Sequence, residues 1–114
     1  MRHYSYELTC CGCPEQYDIW DNEKHIKVGY IRFRWGYLAV HPYKPETFTY
    51  VSQWNNKKIT DQEIEWDVDI YTWEANDGLL GILPNDKRDS IIDEIDEAVF
   101  NYWTNNKEEI RYDS

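Results

Sequence analysis

The chain has 114 residues, 41% of them hydrophobic, with 6 Trp, 10 Tyr and a formal net charge of −10. That length fits one domain with enough apolar side chain for a core of its own. No apolar run is long enough for a membrane-spanning helix, and the start, MRHYSYELT, lacks the apolar stretch of a signal peptide, so a single domain (1–114) in the cytoplasm is expected.

The first half reads as short strands. Tyr4 to Cys10 is one, Gly12-Cys13-Pro14 is turn chemistry, Gln16 to Asp21 is a second strand, and Asp21-Asn22-Glu23 turns the chain toward a third, Ile26 to Arg34. Trp35-Gly36 then suits a two-residue hairpin turn, which would set Arg34 opposite Tyr37, Phe33 opposite Leu38, Arg32 opposite Ala39, Ile31 opposite Val40 and Tyr30 opposite His41. In that register Ile31, Phe33, Leu38 and Val40 form a core row, and Tyr30, Arg32, Arg34, Tyr37 and His41 share the other face. The two prolines of PYKPE predict a loop after His41. Strand character resumes over Thr47 to Gln53, Asn55-Asn56 is a turn, and a further strand is expected from about Gln62 to Trp73.

Within that last strand EIEWDVDI alternates without a break, which places Ile64, Trp66, Val68 and Ile70 on one face and Glu63, Glu65, Asp67 and Asp69 on the other. Residues 74–84 read as a loop. Beyond Pro84 the period changes: Ile91, Ile92, Ile95, Ala98, Val99, Tyr102 and Trp103 recur at helical spacing, predicting a helix over about 86–103 followed by a frayed tail over 104–114. The outer face of that helix would carry Asp89, Asp93, Glu94, Asp96 and Glu97. The expected architecture is α+β, an antiparallel sheet of five or six strands with one C-terminal helix packed on it.

Charge is unevenly spread. Residues 1–60 hold 6 acids and 8 bases, net +2, and residues 61–114 hold 16 acids and 4 bases, net −12, together the −10 of the whole. So acidic a surface repels phosphates and attracts basic partners, which argues against nucleic acid binding directly to that face. Same-face acids in a strand stand about 7 Å apart, comparable to successive phosphates, so the row and the helix acids together suit occupation of a basic, nucleic-acid-binding site. A solvated face explains them equally well, since neighbours at that separation repel by only about 0.6 kcal/mol in water. Two carboxylates that far apart do not share one Mg²⁺ without a third group, and residues 61–86 contain neither the Lys nor the His a nuclease would need.

The Tyr30, Arg32, Arg34, Tyr37 and His41 face supports a different chemistry. Guanidinium groups fork onto phosphates and aromatic rings stack on bases, so a nucleotide or a short single strand is the alternative ligand. Internal pairing of the arginines with acids such as Asp18 is the plainer explanation. Cys10 and Cys13 have the C-x-x-C spacing of a zinc knuckle, and His3, His25 or His41 could complete a set, but no second metal-spaced pair exists. Three free thiols and no metal or other cofactor are therefore expected. No nucleophile motif is present, which favours a binding protein over an enzyme. Exposed strand edges rich in Tyr and Trp make a homodimer plausible.

CPEQYDIW, followed by VGYIRFRWGYLAV at 28–40, resembles small uncharacterised proteins of bacteriophages and prophages, which read PEQYDV, a polar turn, then VGY-x-R-x-R-x-G-x-x-x-V. The match spans residues 12–41, a quarter of the chain, and the acidic second half has no counterpart in it. The resemblance implies a phage-type origin and a host-cytoplasm setting, not an activity. Joined to the acidic surface, it gives the expected function: an anti-CRISPR or anti-restriction type inhibitor that occupies a basic site on a host nuclease, CRISPR effector or other nucleic-acid-binding protein.

Overall fold

The computed structural model describes residues 2–10, 15–76, 78 and 83–113, with side chains to residue 105. Among the described residues six strands and one helix follow in chain order: β1 Ser5–Cys10, β2 Glu15–Asp21, β3 Ile26–Arg34, β4 Tyr37–Val51, β5 Lys58–Ile64, β6 Tyr71–Glu74 and α1 Asn85–Asp113. Every strand pair is antiparallel, and β1, β2, β3 and β4 lie side by side as a meander. The far edge of β4 is shared: β6 pairs with residues 37–40 and β5 with residues 43–51. The expected α+β architecture is thus present.

The β3–β4 hairpin has the expected register at all five pairs from Arg34↔Tyr37 to Tyr30↔His41. Trp35 and Gly36 both take positive φ, 53° and 72°, the backbone of the turn whose twist matches that of paired strands. The core row follows: Ile31, Phe33, Leu38 and Val40, with Ile19 from β2, are buried against Leu83 and against Ile91, Ile95 and Val99 of α1.

Two expectations need correction. PYKPE is not a loop, because β4 runs straight through it; Pro42 closes the β3 ladder opposite Gly29, and Pro45 falls in the register shift between Tyr43 and Thr47, where no ladder donor is needed. EIEWDVDI is not one strand either. Glu65 N donates to Pro42 O and Ile70 N to Val40 O, both at 2.8 Å, so four residues on one side answer a single residue, His41, on the other, and 66–69 loop out between β5 and β6. The expected C-terminal helix is present, with helical backbone over Asn85–Asp113.

Two clasps tie the helix to the sheet. Glu15 on β2 accepts from Arg88 Nε and Nη2 at 3.2 Å each, from Leu83 N at 3.0 Å and from Tyr17 OH. Asp96, only 3% exposed, accepts from His3 N at 2.8 Å, Tyr4 N at 3.2 Å and Tyr6 OH at 2.8 Å.

Past Tyr43 and Ile64, β4 and β5 leave the sheet as a two-stranded arm. Its base is held by a side chain acting as a peptide group: Gln62 Oε1 accepts from Lys27 N at 2.8 Å while its Nε2 donates to Lys27 O at 2.8 Å and Lys44 O at 2.9 Å. Lys27 Nζ also pairs with Asp61 at 3.1 Å.

Candidate functional site

The helix covers one face of the sheet and leaves the other open. On the open face alternate residues of β3 and β4 place Tyr30, Arg32 and Arg34 beside His41, Ala39 and Tyr37, as the register implied. The looped-out segment adds a residue that alternation had placed with Ile64, Val68 and Ile70 on the apolar face of a strand. Trp66, 55% exposed, stands edge-on to Tyr30 at 5.6 Å and to His41 at 5.2 Å between ring centroids. His41 Nδ1 holds this loop in place by donating to Val68 O at 2.9 Å, with Asp69 Oδ1 at 3.2 Å.

Tyr43 completes the aromatic group. Its ring lies edge-on to Tyr30 at 6.5 Å, Lys27 Nζ sits 4.7 Å from its centroid, and its hydroxyl donates to Asp18 Oδ1 at 2.7 Å. Burial, then the bond to Asp18, raises the Tyr43 hydroxyl far above its ordinary pKa, so it remains a donor. Burial likewise raises Tyr30, with the Arg32 charge opposing and Asp18 adding to the shift. Asp18, the acid expected to neutralise an arginine, is therefore occupied by a tyrosine. Among the described residues Arg32 forms no ion pair, and its Nε is buried without a hydrogen-bond partner. Arg34 and Tyr37 stand at the exposed hairpin end, where the Arg34 guanidinium lies 5.7 Å from the Trp35 ring centroid. Of the five residues expected on this face, the structure joins Tyr30 and His41 through Trp66 and leaves Arg34 and Tyr37 at its margin.

The acids are more scattered than expected. Asp96 belongs to the buried N-terminal clasp and not to the outer helix face, because it lies one turn from Ile92 on the sheet-facing side. Asp89 and Asp93 face Arg2 at 3.5 and 2.8 Å, Glu97 faces His3 at 3.5 Å, and Glu94 accepts from Tyr71 OH at 3.3 Å. Glu63 pairs with Lys44 at 3.2 Å and Asp69 with His41, while Glu65 is half-buried and Asp67 exposed. Asp69 accordingly goes with the open sheet face, and the helix acids lie on the layer behind it. The exposed pairs contribute little to stability and neutralise part of the charge.

Among the described residues no three His, Cys, Asp or Glu side chains gather closely enough to hold a metal. Cys10 is an exposed thiol; Cys11 and Cys13 of the C-x-x-C reading lie outside the described residues. Among the described residues no helix is long and apolar enough to cross a membrane. Trp66 and Tyr43 escaped the sequence reading because the looped-out segment and the unbroken β4 both depend on how one edge of β4 is divided. No protein-family model, curated protein sequence or solved structure matches the chain.

Proposed function

We propose that this chain is a binding protein whose open sheet face takes an anionic ligand with a flat ring, a nucleotide or a few nucleotides of single-stranded nucleic acid. The observation that carries this reading is Arg32, a guanidinium with a buried, unpaired Nε beside Tyr30 on a face where Trp66 leaves ring surface exposed. A buried donor without a partner costs about 1–3 kcal/mol, so little holds the guanidinium inward, and a phosphate that draws it outward would relieve that cost while pairing with its N–H groups. Stacking on Trp66 would add about 1–3 kcal/mol per base. The net charge of −10 works against long polyanions, so a short ligand fits better than a continuous strand.

Calorimetric titration with nucleotides and with short oligonucleotides tests the proposal. Arg32→Ala and Trp66→Ala should each weaken binding about tenfold or more, while acid-to-amide changes at Asp89, Asp93 and Glu97 leave it unchanged. No binding by the unaltered protein, or equal binding by Arg32→Ala, would refute it.

A second reading rests on the helix. Asp89, Asp93 and Glu97 recur every four residues along α1 and are all exposed, a stripe of charge about 6 Å apart that could occupy a basic site on a host nuclease or CRISPR effector by mimicking phosphates. The phage-type resemblance of residues 12–41 supplies the setting. Under this reading the same three acid-to-amide changes abolish capture of a basic partner, capture falls with salt, and Arg32→Ala has no effect.

A further inference from the structure

The β4–β5 arm raises a question that the open face does not answer. An isolated two-stranded ribbon is marginal in water, yet this one exposes Phe48, Tyr50, Val51 and Ile59, with Phe48 and Tyr50 stacked at 6.1 Å, and ends in Trp54, which is 96% exposed. Residues 47–60, the outer part of the arm, contain Lys57 and Lys58 and no acid, so this outer part is +2 and the remainder of the chain −12. A basic, aromatic arm projects from an acidic body.

The body has a matching recess. Between β1, the β2–β3 turn and α1 lies a cleft of about 390 Å³ whose wall includes Tyr4, Phe100 and Trp103 and whose rim carries Asp21, Glu23 and Lys24, a net negative charge. Trp103 is fixed there by its Nε1–H, which donates to Val28 O at 2.9 Å. Asp21 Oδ1 accepts from Glu23 N and Lys24 N at 3.0 and 3.3 Å, which holds the turn at the rim. Pro45, at the base of the arm, lines the same cleft.

That last contact sets the geometry. The arm's tip lies roughly 23 Å from its base, seven residues of strand away, so no arm can reach its own cleft. Two arms lying antiparallel about a twofold axis place each tip at the other's base, where the partner's cleft opens. We infer that the arm is a self-association element: in a twofold dimer Trp54 of each copy enters the Tyr4, Phe100 and Trp103 cleft of the other, with Lys57 and Lys58 facing Asp21 and Glu23. The stacked Phe48 and Tyr50 pack between the two arms. The contact is isologous and closes on itself, so it yields a dimer and not a filament. Charge complementarity favours a second copy over other occupants, because the rim acids and the basic tip belong to one chain and neither Glu23 nor the two tip lysines form an ion pair within it among the described residues.

Sedimentation equilibrium of the full chain at tens of micromolar should show a monomer–dimer equilibrium that weakens with salt. Trp54→Ala, whose folding is checked by circular dichroism, should weaken association on the order of 30-fold, as loss of an interface anchor does. Lys57→Glu with Lys58→Glu should also weaken it, as should Glu23→Lys. Mixing those two variants should restore association, because the mixed dimer pairs each altered tip with an altered rim and each native tip with a native rim. A photoreactive residue at position 54 should crosslink to a peptide containing Tyr4 or Trp103 of the other copy. A protein that stays monomeric, a Trp54→Ala variant that associates as well as the original, or mixed variants that stay apart would each overturn the inference. So would a monomer whose tip fluorescence responds to single-stranded oligonucleotides, which would make the arm a nucleic-acid contact.

Discussion

Removing Arg88 should destabilise the protein strongly, because its guanidinium is the counter-charge of the buried Glu15 carboxylate on the sheet–helix boundary. Arg88→Met deletes both guanidinium bonds to Glu15 and the 2.9 Å bond from Nη2 to Leu83 O, and leaves a carboxylate whose side chain is 3% exposed without its counter-charge. Breaking such a pair costs about 3–5 kcal/mol, and the lower end applies because Arg88 is 25% exposed. Burial alone pushes the Glu15 carboxyl up; bonds from Arg88, Tyr17 and Leu83 N outweigh it and hold the pKa below the ordinary 4.5. A depressed folded-state pKa contributes stability that is complete above 4.5 and is lost as pH falls through the folded value. The difference between the original protein and Arg88→Met should therefore be about 3 kcal/mol at neutral pH and shrink on acidification through that range. Urea unfolding followed by tryptophan fluorescence at neutral and acid pH measures both quantities. A double-mutant cycle with Glu15→Gln should give a coupling of about 1–3 kcal/mol. A loss under about 1 kcal/mol at neutral pH, or a loss that does not change with pH, would refute this account of the clasp.

Three further outcomes follow from the packing. Asp96→Ala strands the amides of His3 and Tyr4 and the Tyr6 hydroxyl; it should cost about 2–3 kcal/mol, and hydrogen exchange should show those amides opening first. Gln62→Leu keeps the volume but leaves Lys27 N and O and Lys44 O unpaired; about 2 kcal/mol should be lost in urea, with faster exchange in the arm and unchanged protection in Phe33 and Val40. Gly29→Ala would set a Cβ 2.8 Å from Ile19 Cδ1; thermal unfolding should show a loss of about 1–3 kcal/mol, part of it relieved by adding Ile19→Val.

The sequence makes the β3–β4 hairpin fully legible because turn chemistry and alternation agree there, and Trp35-Gly36 leaves only one register that buries Ile31, Phe33, Leu38 and Val40. The helix is legible for the same reason over Ile91 to Trp103. What escaped depends on which edge is free. Pro42 and Pro45 look like loop residues until it is known that β4 changes partners between them. EIEWDVDI reads as a strand until the β4 edge beside it proves too short, and the four surplus residues carry Trp66 onto the open face. Asp96 follows the pattern of an outer acid, and only the return of residues 3–6 to the helix turns it into a buried acceptor.

The order of the elements has a consequence for synthesis. Every strand precedes α1 in the chain, so the meander can pair while the helix is still being translated, and the face made by Ile19, Ile31, Phe33, Leu38 and Val40 then lies bare. Translating the 29 residues of α1 takes roughly 1.5–6 s at about 5–20 residues per second. Throughout that interval the nascent sheet has apolar surface on the side the helix will cover, and β1 waits for Asp96 to receive the amides of His3 and Tyr4. A chaperone that recognises apolar strands would find its target in this interval, and a stop codon before Ile91 would leave the sheet permanently in that state.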